Sequence, residues 1–283
     1  MIRNFVVLFL SVFSCCIALE RPNIPSYVTV FDGMTYELSG NSKGEISKIN
    51  SFPFERYQIY QVPGLGSFYI DYLHDTIKKT LSEGHIWELN IVELIQKHAR
   101  KGSVVVDLGS HIGTHLLSMS KAVGENGLVI GFEPQIKIFS ELIQNMQLNQ
   151  CFNVIACRCA VGRNFGQVQM GVPFTNNEGG ATIGNAGFFT HTGIGGDFAP
   201  LIPLDSLNLE NVSLIKIDVE CYEDEVIAGA KETIRKNRPF IIIELADDTK
   251  EREEKRDATI KVLQNMGYTV TKIWGWDWFA VPN

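Results

Sequence analysis

The stretch Ser103-Val104-Val105-Val106-Asp107-Leu108-Gly109-Ser110-His111-Ile112-Gly113-Thr114-His115 constrains this chain more than any other. It opens with a β-branched apolar run of the kind that forms a strand buried on both faces of a parallel sheet. An acid and two glycines, Gly109 and Gly113, then turn the chain into residues 116–122, which read as a helix. A buried strand, a glycine turn and a helix make the first half of a βαβ unit. In open α/β sheets ligands bind at such a turn, outside the carboxyl ends of the strands.

The same alternation continues downstream. Residues 128–132 read as a second buried strand ending at Glu133-Pro134, 135–148 as a one-faced apolar helix, 153–157 as a third strand and 167–170 as a short fourth. Strands follow at 214–219 and 240–245, helices at 222–236 and 250–265, and a closing pair at 268–273 and 278–281 is joined through Gly275. This order predicts an α/β fold, a doubly wound and mostly parallel sheet. Upstream, residues 21–50 read as an irregular lead-in, 55–62 and 67–72 as a hairpin, and 74–83 and 86–100 as helices. The 283 residues, 45% of them hydrophobic, suffice for one such domain at 101–283 with an α+β extension at 19–100. The glycine-rich stretch 171–200 has no strong periodicity and reads as a lid or binding loop.

Residues 2–19 have the form of a targeting segment. Arg3 precedes an apolar core at 5–13, and small residues end at Cys16 and Ala18, where a signal peptidase cuts. The apolar stretch is short for a membrane span, so 1–18 is expected to be a cleaved signal peptide leading to a secretory route or the periplasm. A formal net charge of -7 argues against a nucleic-acid partner; the partner expected is a small-molecule or glycan substrate. Cys151, Cys157, Cys159 and Cys221 lack metal-ligand spacing and read as free thiols. His111 and His115 have no third ligand in sequence, and no metal is expected.

Charge narrows the ligand at the turn. A dinucleotide site needs a glycine where this chain has His111, and Asp107 places a carboxylate where a phosphate would be repelled. An acid suits a ligand with a cation and no phosphate, such as S-adenosylmethionine. Glu133, at the end of the second strand, is placed to accept hydrogen bonds from vicinal ribose hydroxyls, and the small residues Cys159 and Ala160 leave room for flat adenine. Asp218 and Glu220 follow the strand Leu214-Ile215-Lys216-Ile217, where period two puts both on one face. With His191 of the glycine-rich stretch they are the candidate catalytic groups. An oxidoreductase is disfavoured by His111 and Asp107, and a binding protein that kept the fold without catalysis is the remaining alternative.

Taken in order, Val105-Val106-Asp107-Leu108-Gly109-Ser110-His111-Ile112-Gly113, Gly131-Phe132-Glu133-Pro134, Cys159-Ala160-Val161-Gly162, Pro203-Leu204-Asp205-Ser206-Leu207 and Ile217-Asp218-Val219-Glu220-Cys221-Tyr222-Glu223 resemble the FkbM-type S-adenosylmethionine-dependent methyltransferases. The resemblance implies a seven-stranded, Rossmann-like class I methyltransferase sheet with its last strand reversed, and transfer to a hydroxyl oxygen, with the acceptor open among a sugar, a lipid and a small metabolite. It implies cofactor contacts from Asp107, Gly109, Ser110, His111, Gly113, Thr114, Glu133, Pro134, Cys159, Ala160 and Asp218. One position departs from the pattern: the family usually has glycine where this chain has Cys221.

Overall fold

The computed structural model describes residues 22–32, 57–71, 75–171, 178, 180, 183 and 194–283. The proposed signal, most of the lead-in, most of the glycine-rich stretch and His191 lie outside them. Ahead of the first glycine turn come β1 (Thr29–Asp32), the hairpin β2 (Gln58–Val62) and β3 (Gly66–Ile70), and helices α1 (Thr76–Ser82) and α2 (Leu89–His98). The organising stretch forms β4 (Val104–Leu108) and α3 (Thr114–Val123), followed by β5 (Leu128–Phe132), α4 (Ile136–Leu148) and β6 (Val154–Arg158). Next come β7 (Ala160–Val161), β8 (Gly166–Gly171) and β9 (Ile194–Ile202), then β10 (Val212–Ile217), α5 (Glu223–Gly229), α6 (Lys231–Asn237), β11 (Phe240–Glu244), α7 (Lys250–Asn265), β12 (Tyr268–Trp274) and β13 (Asp277–Pro282).

The main sheet runs β1-β6-β5-β4-β10-β11-β13-β12. Strands β6, β5, β4, β10 and β11 are mutually parallel, and β13 enters antiparallel between β11 and β12. Period two divides each central strand between two cores. Val104, Val106 and Leu108 of β4 pack with Ile215 and Ile217 of β10 and with Val226, Ile227, Ile234 and Leu263 of α5, α6 and α7. Val105 and Leu214 face the other way, onto Ile91 and Ile95 of α2, Leu116 of α3 and Leu142 of α4. Each such side chain, fully buried, contributes roughly 1.5–3 kcal/mol relative to exposure. That two-sided burial is why these strands read as unbroken apolar runs.

Two sequence expectations change. The sheet has eight strands rather than seven, because Thr29–Asp32 pairs antiparallel with β6 from Thr29↔Arg158 to Asp32↔Ile155. Four residues carry too little period to announce a strand, and the pairing partner lies far along the chain. Within the glycine-rich stretch, Ile194–Ile202 is a strand, antiparallel to β8 and parallel to β7. Its glycines and Pro200 hide the alternation, and it exists because β8 offers an edge to pair with.

The upstream elements brace the sheet. Asn149 on α4 takes the Ser67 N–H (2.9 Å) and donates to the Ser67 carbonyl (2.7 Å), while Asn145 takes the Tyr69 N–H (2.8 Å), so α4 side chains bind the free edge of β3. Lys78 of α1 is fully buried, its ammonium held by Asp71 (2.7 Å), Glu141 (2.8 Å) and Glu178 (2.6 Å). Lys137 joins the same carboxylates. These three acids are the metal-spaced cluster among the described residues, and they grip two ammonium groups. No described helix is long and apolar enough to cross a membrane. The four cysteines beyond the proposed signal are free, as their spacing predicts.

Candidate active site

The turn after β4 is forced by close approach. A Cβ on Gly109 (φ +84°) would lie 1.7 Å from the Asp218 carbonyl oxygen, so only glycine lets the turns after β4 and β10 touch. Gly113 (φ +90°) begins α3, with Met146 Cε 2.6 Å from where a Cβ would sit. Between them His111 takes the left-handed region at φ +48°, and its N–H donates to Glu133 Oε2 (3.1 Å). The Gln135 N–H donates to Glu133 Oε1 (2.9 Å). Glu133 therefore joins the ends of β4 and β5, and burial pushes its carboxyl up to about 7.

Several expected cofactor residues act from behind this surface. Ser110 donates to the Asp107 carbonyl (3.1 Å) and accepts from the Phe132 N–H (3.0 Å), so its hydroxyl ties β4 to β5. Thr114 is buried in the first turn of α3. Asp107 is fully buried, neither carboxylate oxygen has a hydrogen-bond partner, and burial pushes it up to about 6 against the pull of Lys216. Lys216 is the group that sequence reasoning passed over. It is the register partner of Asp107 across β10, 4% exposed, with its ammonium 4.0 Å from Asp107 Oδ1 and 2.9 Å from Asp218 Oδ2. Burial opposes its charge, but Asp218, Asp107 and Glu88 hold the ammonium well above its ordinary range. A lysine inside a buried strand needs a partner, and that was a readable signal.

Asp218 and Glu220 both reach the site, though not by strand period. β10 ends at Ile217, and Glu220 (φ +54°) and Cys221 (φ +72°) lie in the left-handed region. Glu223 closes this turn by accepting from the N–H groups of Val219 (3.3 Å) and Cys221 (3.1 Å). The positive φ at Cys221 is the physical reason a glycine suits that position. The thiol does not line the cleft, and burial, with Glu223 next, pushes it up to about 11. Burial raises Asp218, but Lys216 outweighs it and holds the carboxyl below its usual range. Burial, then Asp218 and Glu223, push Glu220 up to about 8.

Gly109, Glu133, Asp218 and Glu220 form the shared wall of a two-lobed cleft at the carboxyl edge of the sheet. One lobe is mostly apolar, with Leu108, Phe132, Pro134, Cys159, Ala160 and Met170 on its walls, and Ile183 reaches it from the glycine-rich stretch. The other, about 970 Å³, adds Thr76, Ile77, Trp87, Glu88, His111, Glu244 and Trp276. Glu244 ends β11 as Glu133 follows β5, so the same strand-end signal could have found it. Glu88, at φ +49° ahead of α2, had no local signal. Its Oε2 lies 3.4 Å from His115 Nε2, but burial keeps that histidine neutral, down to about 3, so this is no ion pair.

The methyltransferase FkbM domain model matches residues 107–270. A hexuronic acid methyltransferase of Haloferax volcanii is 26% identical over 158 residues, which is 56% of this chain and 62% of that protein. Among solved structures, the methyltransferase FkbM from Methylobacillus flagellatus KT has 15% identity and a TM-score of 0.43, over 84% of this chain and 58% of that one. Fibrillarin from Aeropyrum pernix, solved with natively bound S-adenosyl-L-methionine, has 15% identity and a TM-score of 0.42, over 82% and 86%. With the family match running from the acid of the first turn into β12, the chain belongs to the FkbM methyltransferase family, whose methyl donor is S-adenosylmethionine.

Proposed function

We propose that this chain is an O-methyltransferase acting on a hydroxyl of a sugar. The observation that carries the reading is Glu220, a carboxyl pushed up to about 8 on the wall shared by the two lobes. A base works best with a pKa near the operating pH, and such help is worth roughly 10²- to 10⁴-fold. Asp218, held down by Lys216, stays ionised and is a poor proton acceptor. The sugar relative in Haloferax volcanii supports a glycan acceptor.

The cleft fits the donor. The apolar lobe between Phe132, Pro134 and Ala160 suits a flat purine, and Glu133, which spends its hydrogen bonds so far on two backbone N–H groups, keeps lone pairs for vicinal hydroxyls. S-adenosylmethionine supplies an electrophilic methyl on a sulfonium. The protein supplies alignment, a largely buried site that limits water, and Glu220 as the acceptor of the hydroxyl proton. Incubating the full chain with the donor and simple methyl glycosides, with the methyl ether read by mass, tests this. S-adenosylhomocysteine binding without transfer to any hydroxyl compound would favour a binding protein instead.

A further inference from the structure

The larger lobe has a one-sided charge. Glu88, Glu133, Asp218, Glu220 and Glu244 line it, and among the described lining residues none is a lysine or arginine. Lys216 sits behind Asp218, and the Arg252 guanidinium favours the charge of Glu220, so few cations answer a wall of carboxyl groups. These acids come from separate places: the approach to α2, the end of β5, the turn after β10 and the end of β11. Burial and mutual repulsion push Glu88 up to about 7, and Glu244 is raised well above its ordinary range, first by burial and then by Asp218 and Glu220. A fold that only needed to be stable would gain little by gathering five carboxyl groups around one cavity.

A second, independent feature points into the same lobe. His111 is 8% exposed, lines the cavity, and neither ring nitrogen has a hydrogen-bond partner. Burial lowers it to about 4, so the ring is neutral and offers one donor and one acceptor, both unspent. Unsatisfied buried polar atoms are rare in native proteins and call for an explanation. Trp87 and Trp276, half-buried on the lining, present aromatic surface to the same space, and indole faces attract cations.

We propose that the larger lobe takes an acceptor bearing a protonated amine, an amino sugar in class, and excludes an acidic sugar. This rests on the methyltransferase reading and sharpens its substrate. The bound donor brings one net positive charge, which leaves the carboxyl groups in excess. A uronate would bring a further negative charge against Glu88 and Asp218. The Haloferax volcanii relative is named for a hexuronic acid, so this chain would differ from it in acceptor charge. His111 would hydrogen-bond an acceptor hydroxyl, and Glu88 would hold the ammonium.

Calorimetry on the full chain tests the proposal in two stages. S-adenosylhomocysteine is titrated first; then the loaded protein is titrated with the methyl glycosides of glucosamine, glucose and glucuronic acid at pH 7, where the glucosaminide amine is mostly protonated, in low salt. The expected result is that the glucosaminide binds at least tenfold more tightly than the glucoside and the glucuronide most weakly. Glu88→Gln should narrow the glucosaminide preference several-fold while leaving S-adenosylhomocysteine affinity unchanged. If S-adenosylhomocysteine binds but the glucosaminide shows no advantage, or none of the three binds, the charge proposal is overturned and donor binding stands. If S-adenosylhomocysteine itself does not bind, the methyltransferase reading fails first.

Discussion

The two lobes share Gly109, Glu133, Asp218 and Glu220, yet they are built on opposite terms. The apolar lobe comes mostly from strand ends and the turns directly after them, at β4, β5, β6 and β10, with Met170 of β8 and Ile183 added. The acidic lobe draws on the upstream helices, the end of β11 and the turn before β13, which meet only when the sheet is complete. Geometry is strict in the first, where backbone atoms nearly touch at Gly109. Charge dominates the second. On the proposed reading, the donor would lie where backbone shape fixes the wall, and the acceptor where side chains from distant elements meet.

Gly109→Ala should break both lobes at once, because its Cβ has no room beside the Asp218 carbonyl and its φ is +84°. Strain of this kind costs about 3 kcal/mol or more, so thermal unfolding should shift strongly and S-adenosylhomocysteine binding should vanish. A variant with ordinary stability and affinity would show that the turns after β4 and β10 can part cheaply.

Glu220→Gln should separate the lobes by function. Turnover should fall roughly 10²- to 10⁴-fold, with S-adenosylhomocysteine affinity little changed. In the parent chain Glu220 must lose its proton to act, so the rate should climb as pH rises through about 8, and that limb should disappear in the variant. A pH profile unchanged by the substitution would remove Glu220 from the chemistry.

Glu133→Ala reaches the donor side. Loss of hydrogen bonds to a charged group costs about 1.5–3 kcal/mol, or roughly 10- to 100-fold in S-adenosylhomocysteine affinity. Because its carboxylate also holds the His111 N–H, circular dichroism should accompany the titration to show that the fold persists. Equal affinity in variant and parent would assign Glu133 to the turn alone.

Cys221→Gly should touch neither lobe. It relieves a non-glycine residue at φ +72°, for a gain of about 1 kcal/mol and a rise of about 2 °C in Tm. A change in S-adenosylhomocysteine binding would mean that this side chain shapes the donor lobe after all.

The sequence by itself determined the parallel core, the first turn and the wall that the two lobes share. Val104–Leu108, Leu128–Phe132 and Val212–Ile217 are each buried along their length, so their apolar runs were legible, and Gly109, Glu133 and Asp218 follow from position at strand ends. Local chemistry also marked the hairpin and the helices that flank it. Tertiary structure alone decided the rest. Thr29–Asp32 became a strand because β6 had a free edge. Glu220 faces the cleft through a left-handed turn rather than strand alternation. Trp87, Glu88 and Trp276 gained a role only when α2 and the turn before β13 were brought to one cavity. Periodicity records which face of an element is buried, because burial acts on neighbours a few residues apart. It carries no record of which distant side chains will share a cavity, since that depends on pairings made across the whole sheet.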